Sequence, residues 1–123
     1  MRKYIATIAL AAGLLTVLLG AVTPAHATPI SRANAVAKAK DYLEYDSFSR
    51  KGLIGQLKFE GFSTADATYG ASHSGANWMR QAVRKAKDYL DYDSFSYSGL
   101  VGQLEFDGFT PAQARHGAHA AGL

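Results

Sequence analysis

Carboxylates gather at two corresponding places in the chain, where they could bind a basic partner. The two groups are Asp41, Glu44 and Asp46, and then Asp88, Asp91 and Asp93. Their spacing lacks the alternating oxygen ligands and the closing glutamate of an EF-hand loop, so it does not indicate a calcium site. We expect the last aspartate of each group to organise a turn and the others to lie on a solvated face. The alternative is that a doubled acidic surface binds a positively charged protein.

Other patterns that could support chemistry are weak. His116 and His119 share a helical spacing, but without a cysteine or a supporting carboxylate they make a poor zinc site. The sequence shows no Ser-His-Asp order, activated thiol or phosphate-binding glycine loop. We therefore expect a binding protein rather than an enzyme, with no catalytic residue, no metal and no cofactor.

The acidic groups correspond because the chain repeats itself. Lys40 matches Lys87, which lies 47 residues later, and Gly70 matches Gly117 at the same offset. No insertion separates the copies. We assign the first copy to residues 28–76 and the second to residues 77–123.

Each copy carries the pattern of three short helices. Apolar residues at helical spacing predict a first helix of about three turns; in the first copy they are Ala35, Val36, Ala39, Tyr42 and Leu43. Ser49 is expected to cap a second helix, Gly61 to end it, and Ser63 to begin a third. In the second copy Asn77 and Thr110 are plausible caps. The sequence thus predicts an all-α fold of two tandem three-helix units, each resembling a helix-turn-helix.

Glycines interrupt the predicted second helix. Gly52 and Gly55 match Gly99 and Gly102, and each costs ~1 kcal/mol relative to alanine in a helix. We expect another helix to approach closely there; the alternative is that the backbone of a partner does so. A Gly-x-x-Gly pattern also occurs in nucleic-acid-binding loops, but those loops are basic, whereas leucine and isoleucine surround these glycines.

The first 27 residues resemble a secretory signal peptide. Arg2 and Lys3 precede an apolar run, and Ala25-His26-Ala27 is a suitable cleavage site. The alternative is an uncleaved membrane anchor. Cleavage would leave 11 of the 13 basic residues against all 10 acidic ones, a formal charge of +1. This balance, and a third helix at residues 64–72 without Arg or Lys, argue against nucleic-acid binding.

Trp78, the single tryptophan, lies at the boundary between the copies. We expect it to fill the interface between the repeats, because a large aromatic side chain usually contributes packing first. Stacking on a ligand is the alternative.

Three motifs resemble a known family. In the first copy they are Ala-Lys-Asp-Tyr-Leu at 39–43, Phe-Ser-Arg-Lys-Gly-Leu-Ile-Gly-Gln-Leu at 48–57 and Phe-Glu-Gly-Phe-Ser at 59–63, and the second copy repeats them. The chain is similar to the Ltp-like repeat family, the host cell surface-exposed lipoproteins of phages, prophages and Gram-positive bacteria. The resemblance implies helix-turn-helix-like units outside the cell membrane. It also implies superinfection exclusion, in which the protein blocks DNA injection by contacting the tape-measure protein of an incoming phage.

Within the family, acidic surface residues are thought to contact the partner. The corresponding candidates here are Glu44, Asp46, Asp91 and Asp93. Members typically carry a cysteine for lipid attachment, and this sequence has none. The resemblance therefore implies a product that is secreted, held by an uncleaved leader, or retained by the wall. A secreted cell-wall or surface interaction module with another ligand is the alternative function.

Overall fold

The structure, a computed structural model, describes residues 28–123 as an all-helical chain. The predicted signal peptide, residues 1–27, lies outside the described residues. Three helices form each repeat, which confirms the predicted fold class. They are α1 Pro29–Tyr45, α2 Arg50–Phe59 and α3 Thr64–Ser72, followed by α4 Trp78–Tyr92, α5 Tyr97–Phe106 and α6 Pro111–Ala120.

Each helix in residues 28–123 begins at a residue whose side chain accepts a hydrogen bond from one of the free backbone N–H groups. The N-cap side chains that accept a hydrogen bond from the N–H group three residues later are those of Thr28, Ser49, Ser63, Asn77, Ser96 and Thr110. Thr110 and Gln113 complete a reciprocal capping box. The predicted caps are therefore confirmed. Helix α1 is longer than expected at 17 residues, because Thr28 caps it and Pro29 occupies its first position.

The turn between the second and third helix of each repeat depends on glycine. Gly61 and Gly108 have φ angles of 107° and 104°, which side chains rarely permit. In the first repeat, the N–H of Phe62 donates to the carbonyl of Leu57 at 3.2 Å and closes the end of α2. The second repeat closes α5 in the same way.

The hydrophobic cores of the two repeats share five equivalent positions, and the second core also includes Ala82 and Phe109. In the first repeat the buried cluster is Ala39, Leu53, Leu57, Ala67 and Ala71. Its counterparts in the second repeat are Ala86, Leu100, Leu104, Ala114 and Ala118. Alanine predominates on the first and third helices, so these helices can pack closely around two leucines.

At the second helix, the end of α5 comes within contact distance of Gly52, where a Cβ atom would lie 3.5 Å from the carbonyl oxygen of Asp107. The tighter approach is between the first and third helices. A Cβ atom on Gly70 would lie 2.7 Å from the carbonyl oxygen of Ala35, and Gly117 has the same relation to Ala82. By contrast, a Cβ atom on Gly55 or Gly102 would meet no atom within 4 Å. The packing expectation was therefore wrong for these two, since helical periodicity does not reveal which face a neighbour covers.

The second repeat docks on the turn that joins α1 to α2. The hydroxyl of Ser49 donates to the carbonyl of Asp107 at 2.6 Å, and the N–H of Phe48 donates to the side chain of Gln81 at 3.0 Å. Two further contacts link Ser47 with Asp88 at 3.1 Å and Arg84 with the carbonyl of Leu43 at 3.4 Å. Trp78, the first residue of α4, packs against the hydrophobic core of the first repeat.

Candidate partner-binding surface

A tyrosine in each repeat ties the end of the first helix to the end of the second. Tyr42 donates to the carboxylate of Glu60 and accepts from the amide of Gln56 at 3.2 Å. Burial, and then the hydrogen bond to Glu60, raise the pKa of Tyr42 to about 12. This network holds the last turn of α1, and the carboxylates beside it, in a fixed position on α2.

The second repeat reproduces the network. Tyr89 donates to Asp107 at 2.5 Å and accepts from Gln103 at 3.1 Å. Burial, followed by the hydrogen bond to Asp107, raises the pKa of Tyr89 to about 12. Phe95 packs edge-on against the Tyr89 ring with centroids 5.7 Å apart. The hydroxyl groups therefore remain protonated at neutral pH and act as donors to the acids.

The aspartate that follows α1 and the one that follows α4 each organise the next turn. Asp46 accepts from the backbone N–H of Ser47 at 2.7 Å, and Asp93 accepts from Ser94 at the same distance. Both aspartates adopt an extended backbone and remain exposed. The predicted turn role is therefore confirmed for both.

Asp46 and Asp91 line a common depression where the repeats meet, which we call the acidic depression. It has a volume of about 490 Å³, and its lining residues are Asp46, Lys85, Asp88, Tyr89, Asp91 and Tyr92. The Lys85 ammonium lies 3.5 Å from Asp46. Three carboxylates thus face one ammonium group, and Tyr92 projects from the rim with 90% of its surface exposed. The charge favours a basic ligand.

The other two predicted carboxylates lie elsewhere. Glu44 lines a separate depression together with Lys40, Arg80 and Arg84, where its surroundings are basic. Asp93 is exposed at the end of α4 and does not line the acidic depression. The repeat itself cannot predict this difference, because α4 packs beside Asp46 whereas no described helix packs in that way beside Asp93.

Two exposed phenylalanines were not predicted as candidates. Phe59 and Phe106 occupy equivalent positions at the ends of α2 and α5, and each is 86% exposed. Each lies two residues after a fully buried leucine, Leu57 or Leu104, which places it on another side of its helix. In the sequence, this spacing from a core leucine indicates that the phenylalanine lies outside the core. A phenylalanine exposed at the same place in both repeats has no role in either core, so it is a candidate contact for a partner.

The histidine pair of the third helix lies at the surface of the second repeat. His116 and His119 are both exposed, and no three His, Cys, Asp or Glu side chains within residues 28–123 gather as a metal site would require. None of the helices in that range is long and apolar enough to cross a membrane.

The arrangement defines a class: an all-helical tandem-repeat protein with a charged surface where the repeats meet. The family model for the host cell surface-exposed lipoprotein Ltp matches residues 31–73 and 77–118, one match in each repeat. These matches cover more than half of the chain, so the protein belongs to this family.

A solved structure supports the same assignment. The superinfection exclusion protein Ltp of the Streptococcus thermophilus temperate phage TP-J34 is 34% identical to this chain, with a TM-score of 0.70. The alignment covers 76% of this chain and 97% of that one. No curated protein matches the chain. The sequence departs from the family description in one respect, since it has no cysteine that could carry a lipid.

Proposed function

We propose that this protein is exported and blocks the entry of phage DNA by binding a protein of the incoming phage. The observation that carries the proposal is the similarity, across both repeats, to a phage superinfection exclusion protein. The predicted signal peptide would deliver the chain to the outer side of the membrane, where an injecting phage can be reached. The tape-measure protein, which the family resemblance implies, is the partner we propose.

We propose two sets of contacts, the acidic depression and the exposed phenylalanines. Asp46 and Asp91 supply charge for a basic segment, while Phe59 and Phe106 supply apolar anchors. Aromatic anchors contribute much of the affinity in protein interfaces, and charges mainly contribute orientation and association rate. Glu44 and Asp93 are proposed as weaker contributors, because neither lines the depression.

The test expresses the full chain in a sensitive host and measures phage adsorption and DNA injection separately. We expect adsorption to be unchanged and injection to fall. The double variant Asp46→Asn with Asp91→Asn should lose most of the protection, and asparagine at position 46 keeps an acceptor for the N–H of Ser47. The matched comparison, Glu44→Gln with Asp93→Asn, removes the same charge from two weaker contributors outside the depression and should retain most of the protection.

Two outcomes would contradict the proposal. Unchanged DNA injection across a broad panel of phages would exclude a role in phage exclusion. If the mature protein also pulled down with cell-wall material, a surface interaction module would be the better description. Equal loss of protection in both double variants would keep the function but reject the acidic depression as the contact.

A further inference from the structure

The depression that contains Glu44 is a distinct charged site, which we call the basic groove. It lies where the repeats join and has a volume of about 370 Å³. Lys40 and Glu44 of α1 form one side, the connection at residues 74–77 lies between, and Arg80 and Arg84 of α4 form the other. Both repeats are therefore needed to build it.

The cations of the groove are not neutralised by ion pairs. Within residues 28–123, the carboxylate–ammonium contact below 4.0 Å is the one between Asp46 and Lys85, which belongs to the acidic depression. Arg84 donates from one guanidinium nitrogen to the carbonyl of Leu43 at 3.4 Å, so most of its five donors remain available. Three cationic side chains and a single carboxylate give the groove a net charge of about +2.

The arginines are specific to the second repeat. Arg80 and Arg84 stand at the positions where the first repeat has Ala33 and Ala37, both of which are exposed. The same helix forms with alanine at these places, so the helix does not require the arginines. Arg84 makes one long contact across the interface, and Arg80 has no bond through its side chain in the described chain. Their guanidinium groups are therefore free to bind an anion.

We propose that the basic groove binds phosphate groups of the cell envelope, carried by a lipid headgroup or by a wall polymer. The guanidinium group is planar and can present two parallel N–H donors to phosphate, and a lysine ammonium adds a compact point charge. Envelope phosphates surround a protein exposed at the cell surface, and the name of the family places its members there. Because the sequence has no cysteine for a lipid, this binding offers another way to stay there.

The first experiment measures binding of the mature chain, residues 28–123, to two probes. One is a vesicle of phosphatidylglycerol and phosphatidylcholine, and the other is a purified glycerol-phosphate wall polymer. We expect binding to at least one of them, weakened by added salt. Binding to vesicles alone identifies the headgroup as the source, and binding to the polymer alone identifies the wall. No binding to either probe overturns the proposal.

Variants locate the site. Arg80→Ala with Arg84→Ala restores the residues of the first repeat and should weaken binding roughly tenfold, which is about 1.4 kcal/mol. The matched control, Lys58→Ala with Arg115→Ala, removes the same charge from exposed positions outside the groove and should change binding less than about twofold. Equal weakening in both would mean that only net charge matters, which would overturn the proposal.

A second measurement separates binding from folding. Arg80→Ala alone removes no side-chain hydrogen bond or ion pair with the first repeat, so its melting temperature should match that of the wild type while its binding falls. In the wild-type protein, titration with inorganic phosphate should shift the backbone amide NMR signals of residues 75–80 and leave those of residues 97–106 unchanged. Uniform or absent shifts would contradict a site in the groove.

Discussion

Gly70 and Gly117 set the distance between the first and third helices of each repeat. The ideal Cβ position on Gly70 lies 2.7 Å from the carbonyl oxygen of Ala35 and 2.8 Å from its Cβ. No real Cβ atom tolerates these distances, and backbone atoms in the middle of α1 cannot move aside cheaply. Glycine is therefore required by packing at this position, although α3 would form more readily with alanine.

Gly70→Ala should lower the free energy of unfolding by about 1–3 kcal/mol, because α1 and α3 must separate to admit the methyl group. Gly55→Ala is the control, since its new Cβ meets no atom within 4 Å. It should raise the free energy of unfolding by about 0.5–1 kcal/mol through the gain in helix propensity. Urea denaturation of both variants measures the difference, and a neutral Gly70→Ala would mean that the helices lie farther apart.

The tyrosine–carboxylate pairs make stability depend on alkaline pH. The pKa of Tyr42 and of Tyr89 is about 12 in the folded chain, against about 10 in an unfolded one. Between these values the unfolded chain has lost the proton that the folded chain keeps, so stability falls as the pH rises from about 10 to about 12. Below about pH 10 the contribution is fully present.

Tyr42→Phe with Tyr89→Phe should therefore be less stable than the wild type at neutral pH, because Glu60 and Asp107 lose their donors. Its free energy of unfolding should also fall less steeply between about pH 10 and about pH 12. Denaturant titrations at several pH values measure both effects. Parallel pH profiles for the two proteins would show that other groups cause the alkaline loss.

At the scale of helices and turns, one serine of the first repeat has two functions and its counterpart has one. Ser49 accepts from the N–H of Gly52 at 2.9 Å and donates to the carbonyl of Asp107 at 2.6 Å. Ser96 accepts from Gly99 at 2.9 Å, and its hydroxyl makes no contact with the other repeat. Ser49 is buried and Ser96 is exposed. Ser96 therefore only caps its helix, whereas Ser49 also holds the two repeats together.

Ser96→Ala should cost about 1 kcal/mol of stability, the usual value for a lost N-cap. Ser49→Ala should cost about 1–2 kcal/mol more, because it also removes a part-buried hydrogen bond and leaves the carbonyl of Asp107 without that donor. Thermal unfolding of the two variants under identical conditions tests the difference. Equal losses would indicate that the bond between the repeats adds nothing to stability.

The sequence predicts helix starts and stops well, because these depend on local chemistry. Ser49, Asn77 and Thr110 cap helices where expected, and Gly61 ends one. Helical spacing does not predict the beginning of α1, since Thr28 and Pro29 directly follow the leader and precede the periodic apolar residues. Contacts between helices are harder to predict from the sequence. Periodicity predicts neither the close approach at Gly70 nor the separation of Glu44 from Asp46, because both depend on which helix lies opposite.

At the scale of the whole molecule, duplication creates surfaces that neither repeat has alone. The acidic depression takes Asp46 from the first repeat and Asp88 and Asp91 from the second. The basic groove likewise takes Lys40 from one and Arg80 from the other. Opposite charges therefore lie on two surfaces of the same junction. This organisation requires that the repeats hold a fixed relation, and Trp78 contributes to it by packing on the first core.

Trp78→Ala should destabilise the first repeat although the residue begins the second. Losing a half-buried indole should cost about 1–3 kcal/mol, somewhat less than for a fully buried one. Amide hydrogen exchange at Leu53 and Leu57 should accelerate more than at Leu100 and Leu104, because Trp78 covers the first core. The neighbouring Met79→Ala, at a position 42% exposed, is the control and should change exchange in neither repeat strongly. If Trp78→Ala accelerated exchange only in the second repeat, Trp78 would stabilise its own unit, and the fixed junction would depend on the hydrogen bonds at Ser47, Phe48 and Ser49.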